Sequence, residues 1–198
     1  MIPDDATERL VESASKIGRL CEKLEVQQWE VFASQGYGHS LDIEAGKITM
    51  ASGGGDGGFG IRIVNDGKYG FAHVVDPSTA ESSILEALKI AKKSPSIEGF
   101  ELPGNHVSQQ VDGMMDKKIL DMGPEDLLEQ GDLVLTRVKE LDPRAVAVGV
   151  GIGIGVGASA IITSSGIEDY GVSTKHGIGI HITIAINSSI KNLSLIHI

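Results

Sequence analysis

A glycine-rich run between residues 53 and 60 is the first segment whose composition could support binding chemistry. Glycine lets backbone N–H groups approach an anion closely, so such a run could form a phosphate-binding loop. A nucleotide loop also needs a helix directly after it and, in a P-loop, a Gly-Lys-Ser/Thr sequence. No such triplet follows here, and the next residues alternate as a strand does. The sequence therefore favours a flexible hairpin connection over nucleotide binding.

Histidine spacing bears on metal chemistry. A zinc hydrolase needs clustered ligands and a general base, commonly two histidines one helical turn apart with a glutamate beside them. The histidines here are scattered, and the pair at 176 and 181, if in one strand, would point to opposite faces. We therefore predict no catalytic, cofactor-binding or metal-ligating residue in this chain. The histidines are His39, His73, His106, His176, His181 and His197.

Serine and carboxylate chemistry have no better support. Residues 171–174, Gly-Val-Ser-Thr, lack the glycine that would complete a nucleophile elbow. The adjacent acids at 4–5, 125–126 and 168–169 fall at predicted helix starts or turns. Capping and solvation explain acids at such positions, so they predict no acid-base pair.

A second glycine series occupies alternate positions from Gly149 to Gly157, with valine and isoleucine between the glycines. In a strand this pattern puts every glycine on one face and every aliphatic side chain on the other. A bare face permits close packing against a helix or second sheet, and it also leaves room for an extended peptide. We favour the close-packed interpretation.

The elements around these residues follow from periodicity. Apolar residues at three- and four-residue steps predict a helix from about residue 5 to 25. Asp66-Gly67 lies between two alternating runs and predicts an antiparallel hairpin. Helices are also predicted after Asp76-Pro77, ending at Lys93, and from Gly123-Pro124 to Asp142-Pro143. Further strands are predicted from residue 29, at 40–44, at 145–156, at 160–163 and at 177–186.

These elements predict an α+β fold with antiparallel sheets and helices packed on one face, in two consecutive subdomains. Proline and glycine near residue 95 mark a break. We predict a first domain at 1–95, a linker at 96–122 and a second domain at 123–192. Residues 193–198 contain neither a turn nor a helix stop, and we expect a non-native or incomplete tail.

Composition limits the classes of partner. Seventeen basic and twenty-seven acidic residues give a formal charge of -10, which repels nucleic acid and anionic membranes. The single cysteine, Cys21, cannot form an internal disulfide and falls at a buried helical position. The first residues lack the features of a signal peptide, and no run approaches about 18 apolar residues. We expect a soluble protein of the reducing cytoplasm.

Residues 57–72, GGFGIRIVNDGKYGFA, and the helical residues 87–92 resemble the amino-terminal domain of the TldD/PmbA family. Residues 116–119, 123–127 and 163–168 look like the middle region of that family, closer to the PmbA side than to TldD. The resemblance covers nearly all of residues 5–192.

The resemblance implies a cytoplasmic hetero-oligomer of two related subunits. In that family the TldD-type chain carries zinc on a His-Glu-x-x-x-His helix in its carboxy-terminal domain, and the PmbA-type chain lacks those ligands. Neither the motif nor that domain is present in residues 1–198, so no site residue carries over. The front domains are implied to shape the chamber and to admit unfolded peptides.

We therefore expect an N-terminal fragment of a metallopeptidase assembly subunit that is itself noncatalytic. Its expected partners are a TldD-type subunit, which would hold the zinc, and its own carboxy-terminal domain. The alternative is a freestanding domain that binds an extended peptide at a sheet edge without cutting it.

Overall fold

The computed structural model describes residues 5–104, 111–186 and 189–197, and it describes side chains within 5–104, 111–145 and 148–184. The helices are α1 (Ala6–Lys23), α2 (Ala80–Lys93), α3 (Lys117–Asp121) and α4 (Pro124–Leu141), with a short 3₁₀ helix at Pro77–Thr79. The strands are β1 (Gln28–Glu44), β2 (Lys47–Asn65), β3 (Lys68–Val74), β4 (Ala145–Thr163), β5 (Glu168–Ile186) and β6 (Ser189–His197).

All six strands form one antiparallel sheet in the order β3-β2-β1-β4-β5-β6. The predicted α+β class and the antiparallel pairing are confirmed. Strand β1 pairs with β2 on one side and with β4 on the other. Strands from both predicted subdomains therefore lie in a single sheet, and the division of the chain into domains stays a prediction.

Four strands, β1, β2, β4 and β5, are much longer than the sequence predicts. The predicted strands at the two ends of β1 are one continuous strand through Gly36 and Gly38, and β4 likewise continues through Gly157. At 3.2–3.4 Å per residue, a strand of this kind spans about 60 Å. Continuous hydrogen bonding to strands on both sides keeps these glycines extended, although glycine itself has no preference for that conformation.

Tight turns connect the first three strands. Ala45 and Gly46 have φ values of 50° and 76°, and Asp66 and Gly67 have φ values of 54° and 69°. Two successive positive φ angles match the twist of the flanking strands, which is why Asp-Gly is common at such turns. The predicted hairpin at Asp66-Gly67 is confirmed.

The helices pack on one face of the sheet, as predicted. On β1 the buried residues Trp29, Val31 and Ala33 share this face with Leu41 and Ile43, since all five alternate along the strand. The first three belong to a core with residues of α1 and α2, whereas the last two belong to a core with residues of α4. The long strands therefore carry two separate cores, one near each end.

The core is mainly aliphatic, in keeping with an aromatic content of only 4% in the sequence. Gly70 of β3 lies directly under α2, where an added Cβ would collide with the carbonyl oxygen of Ala87. Cys21 of α1 is fully buried, and burial raises the pKa of its thiol to about 12. The expectation that Cys21 is a buried apolar residue is confirmed.

The predicted linker is partly ordered against the sheet. The Leu102 N–H donates to Gln28 Oε1 at 2.8 Å, and Ser165 Oγ donates to the Pro103 carbonyl at 2.7 Å. The Thr174 N–H donates to the Met114 carbonyl at 2.9 Å, so the linker also reaches an edge of β5. Helix α3 lies within this segment and was not predicted. None of the described helices is long and apolar enough to cross a membrane.

Candidate functional site

The glycine-rich run at residues 53–58 lies within β2. It pairs with β1 in continuous register, from Gly53 opposite His39 to Gly58 opposite Ser34. The prediction of a flexible hairpin connection is therefore wrong, because pairing with β1 holds the run extended. The strand continues to Asn65 with no helix start after the run, so the geometry of a phosphate loop is missing from this segment.

The far side of the same segment is unpaired. Strand β3 pairs with β2 only from Phe59 to Asn65. Among the described residues, no strand pairs with the other side of residues 47–57, which we call the free edge. All eleven of its residues are exposed. Ile48 and Met50 are 54% and 52% exposed, so the free edge also presents apolar side chains.

The alternating glycines of β4 lie on the sheet face that carries no helices. The aliphatic residues between them face the helices, where Val148, Val150, Ile152 and Ile154 are all buried. The predicted separation of the two residue types onto opposite faces is confirmed. We call the opposite side of the central sheet the bare face, defined by the five glycines from 149 to 157 at odd positions and their cross-strand neighbours.

The bare face is open within the described chain. A Cβ built at Gly153, Gly155 or Gly157 would meet its nearest atoms at 3.7, 3.6 and 3.7 Å, which is ordinary van der Waals contact. The interpretation that another element packs closely over these glycines is therefore wrong for the described residues. The other interpretation, that the bare face leaves room for an extended peptide, remains.

The neighbouring strands β1 and β5 extend this surface. Gly36 and Gly38 of β1 lie opposite Gly157 and Gly155, and β5 contributes residues from Ser173 onward. A shallow depression of about 250 Å³ lies on this face, with Asp56 on one margin and Lys175 on the other. Half of its ten lining residues are glycines, and the others include Tyr37, Val156 and Ser173.

Two further cavities flank the sheet. The larger, of about 550 Å³, lies between the linker and the sheet and has an apolar lining that includes Phe32, Met114, Met115 and Ile161. The smaller, of about 140 Å³, lies beside α3 and is lined by Tyr37 and His39 among others. The rings of that pair meet edge to face at 5.1 Å. Both cavities could hold apolar side chains, and neither gathers a set of metal donors.

The histidines remain apart in the folded chain. His39 contacts Tyr37, His73 lies beside Gly58, and His176 Nε2 is 2.8 Å from Gln130 Oε1. In β5, His176 pairs with Ile154 and His181 pairs with Gly149, which confirms that these two point to opposite faces.

The side chains of the other two histidines lie outside the part of the chain for which side chains are described. His106 lies outside the described residues, and His197 is described only as a backbone position in β6. Among the described residues, no three His, Cys, Asp or Glu side chains could hold a metal together. The assignment of no catalytic, cofactor-binding or metal residue stays a prediction.

The serine candidate lies within a strand, and the acidic pair at 125–126 lies at a helix start. Residues 171–174 lie in the extended strand β5, where no strand-to-helix turn exposes Ser173 as a nucleophile. Asp126 Oδ2 accepts from the Gly123 N–H at 2.7 Å at the start of α4. This contact confirms the capping interpretation for the acids at 125–126.

Comparison with known proteins relates one end of the sheet to a known domain. Residues 29–94, from β1 through α2, match the model of the PmbA/TldA metallopeptidase domain 1. An uncharacterized protein of Methanocaldococcus jannaschii is 30% identical over 161 residues, which cover 81% of this chain and 35% of that protein.

Solved structures share the fold over almost the whole chain. TldE from Thermococcus kodakarensis has a TM-score of 0.79 at 20% identity, covering 93% of this chain and 42% of TldE. A proposed modulator of DNA gyrase from Bacteroides thetaiotaomicron has a TM-score of 0.81 at 19% identity, with 97% and 44% covered. This chain therefore spans about a third of the matched relative and less than half of the matched structures.

Proposed function

We propose, on the premise that the chain belongs to the TldD/PmbA family, that it is the N-terminal, noncatalytic part of a subunit in a metallopeptidase assembly that processes peptides. The observation that carries this proposal is the match of residues 29–94 to the first domain of the family. That segment contains β1, β2, β3 and α2, and therefore forms one end of the sheet with its helical cover.

The noncatalytic role is supported by the chemistry of the available donors. Peptide hydrolysis by zinc needs about three protein ligands and an open coordination position. The described side chains offer no such group, and half of the residues that line the depression on the bare face are glycines. In this proposal the zinc belongs to a TldD-type partner subunit, and this chain contributes shape and binding surface.

The partners proposed for the chain are a TldD-type subunit and a carboxy-terminal domain of its own. The likeness to TldE from Thermococcus kodakarensis extends over 93% of this chain, which supports a TldE-like place in the assembly. The bare face and the free edge are two surfaces with room for such partners. A cytoplasmic location completes the proposal, and it is compatible with the single buried thiol at Cys21.

The proposal is tested by measuring zinc and peptide cleavage on the same samples. The dialysed chain alone should contain no stoichiometric zinc and should not cut unstructured peptides. Co-expression with a TldD-type subunit should give co-purification, and cleavage should then be sensitive to chelators. One tightly held zinc per chain, or metal-dependent cleavage by the pure chain, would overturn the noncatalytic assignment.

A second candidate function is peptide binding without hydrolysis, and the free edge is the observation that favours it. An extended peptide could add to residues 47–57 by main-chain hydrogen bonds. Backbone amide shifts in NMR distinguish the two candidates. A peptide that perturbs residues 47–57 of the isolated chain supports the second, whereas binding only in the presence of a TldD-type subunit supports the first.

A further inference from the structure

The free edge lacks most of the devices that keep strand edges from pairing. Natural edge strands are commonly protected by proline, by charged side chains, by bulges or by a covering element. Residues 47–57 contain no proline and are exposed on both faces. One irregularity in the pairing with β1, between Asp42 and Ile43, lies near the hairpin end, so residues 50–57 remain regular.

We propose that the free edge pairs antiparallel with the same edge of a second copy of this chain, so that the sheet continues across a two-fold axis. An antiparallel strand pair has the same hydrogen-bond pattern seen from either strand. A segment paired with its own copy around a two-fold axis is therefore complementary to itself, as a closed dimer interface must be. Thr49 is bulged out of the pairing with β1, so regular pairing centred on Ser52 would involve residues 50–54 of each copy and would form about five main-chain hydrogen bonds.

Charge placement favours the antiparallel second copy. Lys47 and Asp56 are the only charged residues in the segment, and they lie near its opposite ends. Antiparallel pairing centred on Ala51 or Ser52 brings Lys47 of one copy close to Asp56 of the other, twice per dimer. Parallel pairing would instead align like charges, which destabilises a strand pair.

The side chains of the segment also permit this approach. Residues 51–55 are Ala, Ser and three glycines, so nothing bulky projects from the middle of the edge. A Cβ built at Gly54 would meet no atom within 4 Å. In the paired arrangement Ile48 and Met50 would lie beside the small residues of the other copy, which would remove part of their apolar surface from water.

The net charge of -10 opposes association through long-range repulsion. Salt screens that repulsion beyond about 8 Å at physiological ionic strength, whereas strand pairing acts at contact. Self-pairing should therefore be measured at physiological salt or above.

A cysteine scan along residues 50–54 tests the register. Directly opposed residues in an antiparallel pair have Cα atoms about 4.5 to 5.5 Å apart, which a disulfide can bridge. Mild oxidation should cross-link Ala51→Cys or Ser52→Cys most efficiently, with a loss of efficiency two residues to either side. Native Cys21 is fully buried and should not react. Cross-linking that is equal along the scan, or no greater than that of Lys89→Cys on α2, would overturn the proposal.

Charge reversal tests the orientation independently of any cysteine. Lys47→Asp and Asp56→Lys should each weaken dimerisation about three- to tenfold in sedimentation equilibrium, and the double variant should restore it. Lys89→Asp and Glu12→Lys make the same charge changes at exposed helical positions, and they control for net charge. A double variant as weak as the singles would overturn the antiparallel arrangement. A strictly monomeric chain that binds peptides at residues 47–57 would overturn self-pairing and favour the peptide-binding alternative.

Discussion

The two halves of β2 pair with the same neighbour but have opposite environments. From Phe59 to Asn65 the strand lies between β1 and β3, and Ile61 and Ile63 are fully buried beneath the helices. From residue 47 to 57 it pairs with β1 alone and is exposed throughout. Strand pairing therefore does not make a core by itself.

The difference comes from what covers the strand. Helix α2 packs over the buried half, whereas α4 packs against β1 and β4. The buried half contributes to the stability of the core, whereas the exposed half leaves backbone and apolar side chains available to a partner. Matched substitutions in the two halves compare how much each half contributes to the free energy of unfolding.

The largest expected effect is the loss of a buried side chain. Ile61→Ala should lower the free energy of unfolding by about 2 to 5 kcal/mol, because it removes transfer energy and leaves a cavity. Ile48→Ala makes the same change at a half-exposed position of the free edge and should cost less than about 1 kcal/mol. Urea unfolding of dilute protein compares them, and equal losses would show that the free edge is covered.

The next largest difference is expected between Gly58, at the boundary with the buried half, and Gly54 of the free edge. At Gly58 a Cβ would lie 2.7 Å from His73 Nε2 and 2.8 Å from the Val74 carbonyl oxygen, so Gly58→Ala should cost about 1 to 3 kcal/mol by overpacking. At Gly54 there is open space. Gly54→Ala should stabilise the chain by about 0.4 to 1 kcal/mol, because alanine restricts the unfolded state.

Thermal melts of the two alanine variants, at a concentration where the chain is monomeric, check the difference. If Gly54→Ala destabilises as much as Gly58→Ala, the space beside Gly54 is filled in the monomer.

A smaller effect is expected on the bare face. Gly153→Val adds bulk where the nearest atoms are 3.7 Å from the new Cβ, so stability should change by no more than about 0.5 kcal/mol. Urea unfolding of the isolated chain gives the value. A loss of several times this size would show that the face is covered in the isolated chain, as it would be against a helix or second sheet.

The smallest expected effect is that of a surface ion pair in the buried half. Arg62 Nη1 lies 3.4 Å from Glu30 Oε1 on the exposed side of the strands. Arg62→Met should cost about 0.2 to 0.4 kcal/mol at low salt, and the cost should decline at 1 M salt because screening weakens the pair. A cost independent of salt would indicate that packing of the arginine stem is what stabilises this position.

Several features of the fold and site could be predicted because they depend on local chemistry. Three- and four-residue periodicity identified α1 and α4, and Pro77 after an Asp cap marked the start of the segment that contains α2. Asp76 Oδ1 accepts from the Ser78 N–H at 2.9 Å, as an N-cap does. The scattering of the histidines and the two faces of β4 could likewise be deduced from spacing.

The sequence by itself determined the amphipathic helices, the Asp66-Gly67 turn and the segregation of glycine from aliphatic residues in β4, because each depends on side-chain periodicity or on residues next to one another. Only the tertiary structure decided that residues 53–58 are strand, that β1 joins both halves of the chain, and that the bare face and the free edge stay open. Glycine has little conformational preference of its own, so distant hydrogen-bond partners set its backbone. Exposure of a face or an edge depends on where helices far along the chain come to rest, and no local pattern encodes that position.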